Sequence, residues 1–227
     1  FRHRIIAYVE IEAFAIANLV SKMEAGRLHP APIWSNIKTL PLDCFRGRVD
    51  ILTGGYPCQP FSSAGQRKGK DDPRHLWPYI FDIIKAIRPI RCFFENVEGH
   101  ISLGLREVIS DLESLGYQTT WGIFSAAEVG APHQRKRVFI MADTNGKCLQ
   151  RRGITRNISG KESEPDDQFA PGCNSAQIGK WEPEPRVGRV VDGCSNRVDR
   201  IRLLGNGVVP QTAALAWVTL EKQLEKA

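Results

Sequence analysis

The sequence predicts an α/β protein, a sheet flanked by helices with an irregular insert towards its carboxyl end. Three observations carry that expectation. Apolar runs of strand length alternate with longer segments whose apolar residues recur at helical spacing. Chemically useful residues stand at or just past the ends of three predicted strands, namely Glu10, Cys58 and Glu95, and ligands of open α/β sheets bind at that edge. From Asp143 to Arg200 the periodicity stops, and glycine, proline, asparagine and mixed charge replace it. A stretch of that length without its own pattern is usually functional or disordered. The expected organisation is an α/β domain over 1–142, an insert over 143–200 and a segment over 201–227 that returns to the domain.

Ile5–Glu10 reads as a strand ending in a carboxylate, and Ala13–Met23 as a helix with Gly26 near its end. A carboxylate at a strand end of a nucleotide-binding unit takes ribose hydroxyls; taken alone, a solvated charge is the plainer reading. Pro32–Trp34 is another short strand, followed by Ser35-Asn36-Ile37. Val49–Thr53 reads as a short buried strand closed by Gly54 and Gly55, and the chain continues Tyr56-Pro57-Cys58-Gln59-Pro60-Phe61-Ser62. The two prolines fix their own φ and push Tyr56 and Gln59 towards extended geometry. A lone cysteine most often fills space as a small hydrophobe. Against that stands a thiol carried by a stiff loop at the ligand-binding edge of a sheet.

Ser62–Arg74 is polar, basic and glycine-bearing, so it is either a solvated turn or a lid over a site. A helix running to Ile87 presents Ile80, Ile83, Ile84 and Ile87 on one face. Ile90–Val97 is a buried strand bearing Glu95 near its end. Partial desolvation there raises a carboxyl pKa and lets the group donate a proton; a structural carboxylate bonded to backbone is the alternative. Ile101–Leu115 reads as one helix stopped by Gly116, and Tyr117–Phe124 and Lys136–Ala142 as two strands. Arg135 and Arg137 alternate, which on a strand puts both guanidiniums on one face. Their rigid donor forks suit base oxygens and phosphates, while a basic edge also guards a sheet against aggregation. Within 143–200, Arg151, Arg152, Arg156, Lys180, Arg186 and Arg189 supply positive charge, and Trp181 an apolar anchor or stacking surface. Leu203–Gln211 holds Gly205-Asn206-Gly207-Val208, a tight turn before a helix over Ala213–Leu224.

The 227 residues suffice for one core plus a small insert, and 42% hydrophobic with 25% charged residues is an ordinary globular balance. No apolar run approaches the roughly 20 residues that span a bilayer. Six dispersed cysteines show no paired zinc spacing, so no metal is expected, and they read as reduced thiols of a cytoplasmic protein. A net charge of +6 moderately favours a polyanionic partner. The opening Phe1-Arg2-His3-Arg4, without methionine, is expected to mark a fragment or a trimmed chain.

Pro57-Cys58-Gln59, Glu95-Asn96-Val97, Arg135 with Arg137, and Gly205-Asn206, preceded by Glu10, stand in the order in which the cytosine-5 DNA methyltransferases carry their motifs. The chain resembles that family over nearly its whole length. The resemblance implies a Rossmann-like, S-adenosylmethionine-dependent sheet and a short target-recognition insert. It further implies methylation of carbon 5 of cytosine in double-stranded DNA by a monomeric bacterial or phage enzyme, as in restriction-modification. It assigns Cys58 as nucleophile, Glu95 to cytosine nitrogen 3, and Arg135 and Arg137 to the base and its flanking phosphate. For the cofactor it assigns Glu10 to the ribose, Asn36 and Ile37 to the adenine, and Pro57, Asn206 and Val208 as further contacts. The chain departs from the pattern in three places. Asn36 stands where the family has an aspartate, and His133 where it has a glutamine. The family's glycine-rich cofactor turn has no counterpart before Gly26, the first glycine. Residues 1–227 alone are therefore expected to bind the cofactor poorly, to methylate slowly, and to expose a sheet edge open to pairing. A DNA-binding fragment without activity and an RNA cytosine methyltransferase are the other readings of the same motifs.

Overall fold

The computed structural model describes residues 4–57, 76–144 and 205–226. Cys58, the loop at 62–74 and the stretch from 145 to 204, with Trp181 and the basic residues of the insert, lie outside them.

The centre is a four-stranded sheet of β3 (Ile51–Gly55), β4 (Arg91–Val97), β5 (Gln118–Phe124) and β6 (Arg137–Asp143), in the spatial order β3-β4-β6-β5. β3 and β4 are parallel, whereas β6 runs antiparallel to both of its neighbours. Two further strands, β1 (Tyr8–Val9) and β2 (Ile33–Trp34), pair in parallel as a unit of their own. The expected strand over Ile5–Glu10 shrinks to two residues because β2 offers it only two partners. Between β1 and β2 runs α1 (Ala13–Glu24), which carries no buried residue among those described and ends at Gly26 with a φ of 68°.

Helices cover both faces of the main sheet. On one face lie α2 (Trp77–Ile87) and α4 (Leu105–Ser114). Pro78 opens α2, where a missing N–H costs nothing. The face expected from the isoleucine spacing is the buried one, since Ile80, Ile83, Ile84 and Ile87 are all in the core with Trp77. Cys92 and Phe94 of β4 and Val138, Ile140 and Ala142 of β6 meet this layer. Because strand residues alternate, Phe93, Phe139 and Met141 point the other way. With Phe124 they receive Ala216, Leu220 and Leu224 of α5 (Pro210–Lys226).

Further expectations need correction. The segment 101–115 is not one helix: α3 (His100–Leu103) ends at Gly104 and α4 begins after it. A Cβ at residue 104 would stand 2.9 Å from Cε1 of His100, so the ring of His100 fills the space that a regular side chain would need. β3 is half-exposed rather than buried, because it is the outer strand of the described sheet. Arg135 lies before β6 with a φ of 34°, so the two arginines do not alternate along one strand. Asp143 completes β6, buried and paired with Arg91 at 2.8 Å, and thus belongs to the sheet.

Candidate active site

One edge of the sheet gathers the residues that carry chemistry. The parallel register sets Gly55 beside Glu95, so the chain leaves β3 through Tyr56 and Pro57 next to the end of β4. β6 enters at the same edge because it is antiparallel, placing Arg137 opposite Val97 and one diagonal step from Glu95. Arg137 Nε donates to Glu95 Oε1 at 2.8 Å, and its Nη1 donates to the carbonyl of Lys136 at 2.8 Å. Burial raises the Glu95 carboxyl above its ordinary value, while Arg137 and then Arg135 pull it back. Desolvation wins, in the direction expected for a strand-end proton donor. Gly55 leaves the carboxylate its room, since a Cβ there would sit 3.2 Å from Glu95 Oε2.

Arg135 takes a different part. Its Nη2 donates to the carbonyls of Gly205 at 2.7 Å and of Gly207 at 2.5 Å. It thereby ties the segment Gly205–Val208, whose first two residues are helical, and the start of α5 to the edge that holds Glu95. Asn206 and Val208 are exposed on that segment, which is not the tight turn expected.

Tyr56, which the sequence reading did not single out, anchors the exit of β3. Its ring lies among Trp77, Phe94 and His100 at centroid distances of 5.5, 6.0 and 5.5 Å. Its hydroxyl meets His100 Nε2 at 3.0 Å, and its carbonyl accepts from Asn96 Nδ2 at 3.2 Å. Pro57 follows, exposed at the site. A tyrosine before the proline and a histidine after Glu95-Asn96-Val97 were visible in the sequence, but nothing in their spacing declared that they meet.

Burial holds His100 neutral and lowers its pKa to about 4, from an ordinary 6.5. The unfolded chain therefore takes up a proton at a pH where the fold does not. This contribution is complete above pH 6.5 and is lost as pH falls towards 4, by about 3 kcal/mol for a shift of this size. Glu95, raised in pKa, works in the opposite sense, so the comparison must be between variants. Urea unfolding of wild type and His100→Phe between pH 7 and pH 4 is expected to show the wild type losing roughly 3 kcal/mol more than the variant. Equal losses would place the acid sensitivity elsewhere.

A second group stands where β1 and β2 end side by side, with Glu10 following Val9 and Asn36 two residues past Trp34. Glu10 Oε1 accepts from the amide of Glu12 at 2.8 Å, and Asn36 Oδ1 from that of Lys38 at 3.0 Å. These bonds fix both side chains as acceptors, and each keeps acceptor capacity. Ile37 opens a short 3₁₀ turn capped by Asn36. Ile11, 72% exposed, and Trp34, 40% exposed, put apolar surface beside these acceptors. Acceptors next to open apolar surface suit the adenosine part of a nucleoside cofactor. Among the described residues no cluster of His, Cys, Asp or Glu could hold a metal ion, and no helix is long and apolar enough to cross a membrane.

Comparison with known proteins identifies the family. The C-5 cytosine-specific DNA methylase family matches residues 4–183. Type II methyltransferase M.AgeI of Thalassovita gelatinovora is 37% identical over 107 residues, covering 45% of this chain and 25% of that protein. Type II methyltransferase M.NgoMIV of Neisseria gonorrhoeae is 33% identical over 148 residues, covering 62% of this chain and 45% of that protein. The chain thus spans between a quarter and about half of the length of these curated relatives. Among solved structures, a DNMT2 mutant of Spodoptera frugiperda superposes with a TM-score of 0.51 at 23% identity, over 74% of this chain and 47% of that one. The Dnmt2 methyltransferase of S. pombe gives a TM-score of 0.50 at 23% identity, over 68% and 50%. These two likenesses establish the fold, a sheet flanked by helices.

Proposed function

Because this chain belongs to the C-5 cytosine-specific DNA methylase family, we propose that the protein transfers a methyl group from S-adenosylmethionine to carbon 5 of cytosine in DNA. The observation that carries the reading is the Glu95–Arg137 pair at 2.8 Å, at the sheet edge where Pro57 emerges.

Carbon 5 of cytosine is a poor nucleophile. The Cys58 thiolate, next in the chain after Pro57, adds to carbon 6, and the electron pair of the 5,6 double bond becomes available at carbon 5. Glu95 donates its proton to nitrogen 3, which neutralises the charge that the addition pushes there. A carboxyl raised in pKa by burial is suited to that donation. Arg137 holds Glu95 and offers a donor fork to the base. Arg135 acts through the Gly205 and Gly207 carbonyls, so in this protein it positions the segment Gly205–Val208 rather than the base alone. Glu10, Asn36 and Ile37, with Pro57, Asn206 and Val208, would hold the cofactor, whose sulfonium supplies an electrophilic methyl group. Loss of the carbon 5 proton to a base restores the double bond and expels Cys58. The target cytosine must leave the duplex stack to be reached, which costs a few kcal/mol.

The test is transfer of labelled methyl groups to double-stranded DNA, with transfer RNA as competitor and salt varied. Label recovered as 5-methylcytosine in DNA is expected, with affinity for DNA falling steeply as salt rises because phosphate contacts release counterions. Label in transfer RNA alone would move the substrate to RNA. DNA binding without label under any condition would leave a binding fragment as the better reading.

A further inference from the structure

The polar pair beneath the exit of β3 carries a role that the reaction above does not use. Tyr56 and His100 are 7% and 4% exposed, and their hydroxyl–imidazole contact of 3.0 Å lies inside a cage of Trp77 and Phe94. His100 sits on α3, just after β4, and its ring occupies the side-chain space that Gly104 leaves open. From Tyr56 the constraint passes to the backbone. The Tyr56 carbonyl accepts from Asn96 Nδ2 at 3.2 Å, and Asn96 Oδ1 accepts from the Val97 amide at 2.9 Å. Asn96 is itself 3% exposed and immediately follows Glu95. One chain of hydrogen bonds therefore runs from α3 through the end of β3 to the end of β4.

We propose that His100 is a positioning residue: through the Tyr56 hydroxyl it fixes the backbone that delivers Pro57 against Asn96, and so sets the spacing between the exit of β3 and Glu95. A phenylalanine in place of either partner would keep the aromatic packing and lose the lock. Such spacing matters because reacting groups misplaced by about 1 Å can cost two orders of magnitude in rate. The proposal rests on the reading above only for its kinetic arm.

The test compares wild type with His100→Phe, which removes the hydrogen-bonding nitrogen, and His100→Gln, which returns a polar group near the position of Nε2. Hydrogen exchange is followed at the Val97 amide and, as an internal reference, at the amides of Phe139–Met141 in β6. Methyl transfer to DNA is measured in parallel. His100→Phe is expected to speed Val97 exchange about tenfold while the β6 amides stay at wild-type rates, and to lower kcat about tenfold with the KM for DNA within about twofold. His100→Gln is expected to restore most of both. If Val97 and the β6 amides accelerate together, or if neither changes, the positioning role is wrong, as it is if glutamine behaves like phenylalanine. Should His100→Phe fail to fold, Tyr56→Phe removes the same bond from the other side, with the same expected outcomes. A wild type without methyl transfer would defeat the proposed function, and the exchange arm would still decide the role of His100.

Discussion

Cys58→Ser is expected to abolish methyl transfer, by roughly four orders of magnitude or more, with the fold intact. A serine hydroxyl is not ionised near neutral pH and lacks the nucleophilicity of a thiolate, so the addition to carbon 6 has no agent. Tyr56 and Pro57, the two residues before Cys58, leave β3 beside Glu95, which is where the nucleophile must be delivered. The measurement is single-turnover methyl incorporation, with circular dichroism and DNA binding checked on the same preparation. Transfer at the wild-type rate would show that another group attacks the base.

Glu95→Gln is expected to lower the rate by about two to three orders of magnitude, within the range for removing a positioned proton donor. Glutamine can still donate a hydrogen bond to nitrogen 3, but it gives up no proton, and it takes the counter-charge from Arg137. The pH profile makes the prediction sharper. In the proposed mechanism the competent form of Glu95 is the protonated one, and burial raises its pKa above the ordinary carboxyl value. The wild-type rate should therefore fall as pH rises through that raised pKa, while the variant shows no such limb. An alkaline limb that survives unchanged in Glu95→Gln would assign the titration to another group.

Local pattern made much of this legible from the sequence. The isoleucine spacing of α2 gave its buried face because a helix repeats every 3.6 residues. The position of Glu95 near a strand end gave the direction of its pKa shift, since burial there outweighs the opposing pull of Arg137 and Arg135. What sequence reading missed depends on partners far along the chain. The Glu95–Arg137 pair follows from the antiparallel register of β4 and β6, which no local pattern states. The break between α3 and α4 follows from the ring of His100 lying over Gly104, where helical periodicity ran on undisturbed. Arg135 looked like an alternating strand residue, yet its left-handed backbone turns it towards the Gly205 and Gly207 carbonyls, some seventy residues away. α5 begins at Pro210, three residues before the expected start, because proline suits a first helical turn.

The return of α5 to the sheet also bears on how such a chain can change over evolutionary time. Ala216, Leu220 and Leu224 close the core against Phe93, Phe124, Phe139 and Met141, and Arg91 is bonded both to Asp143 at the end of β6 and to Glu221. The stretch 145–204 is thus flanked by β6 and α5, which contacts of their own hold together beside the tie from Arg135 to the Gly205 and Gly207 carbonyls. The entropy of closing such a span grows only with the logarithm of its length, by roughly 0.6 kcal/mol for each doubling. On loop-closure entropy alone, a change in the length of that stretch would therefore cost its flanking elements little. Length change there is a cheap route to divergence over evolutionary time, because the edge that holds Glu95 and Arg137 is built from other parts of the chain.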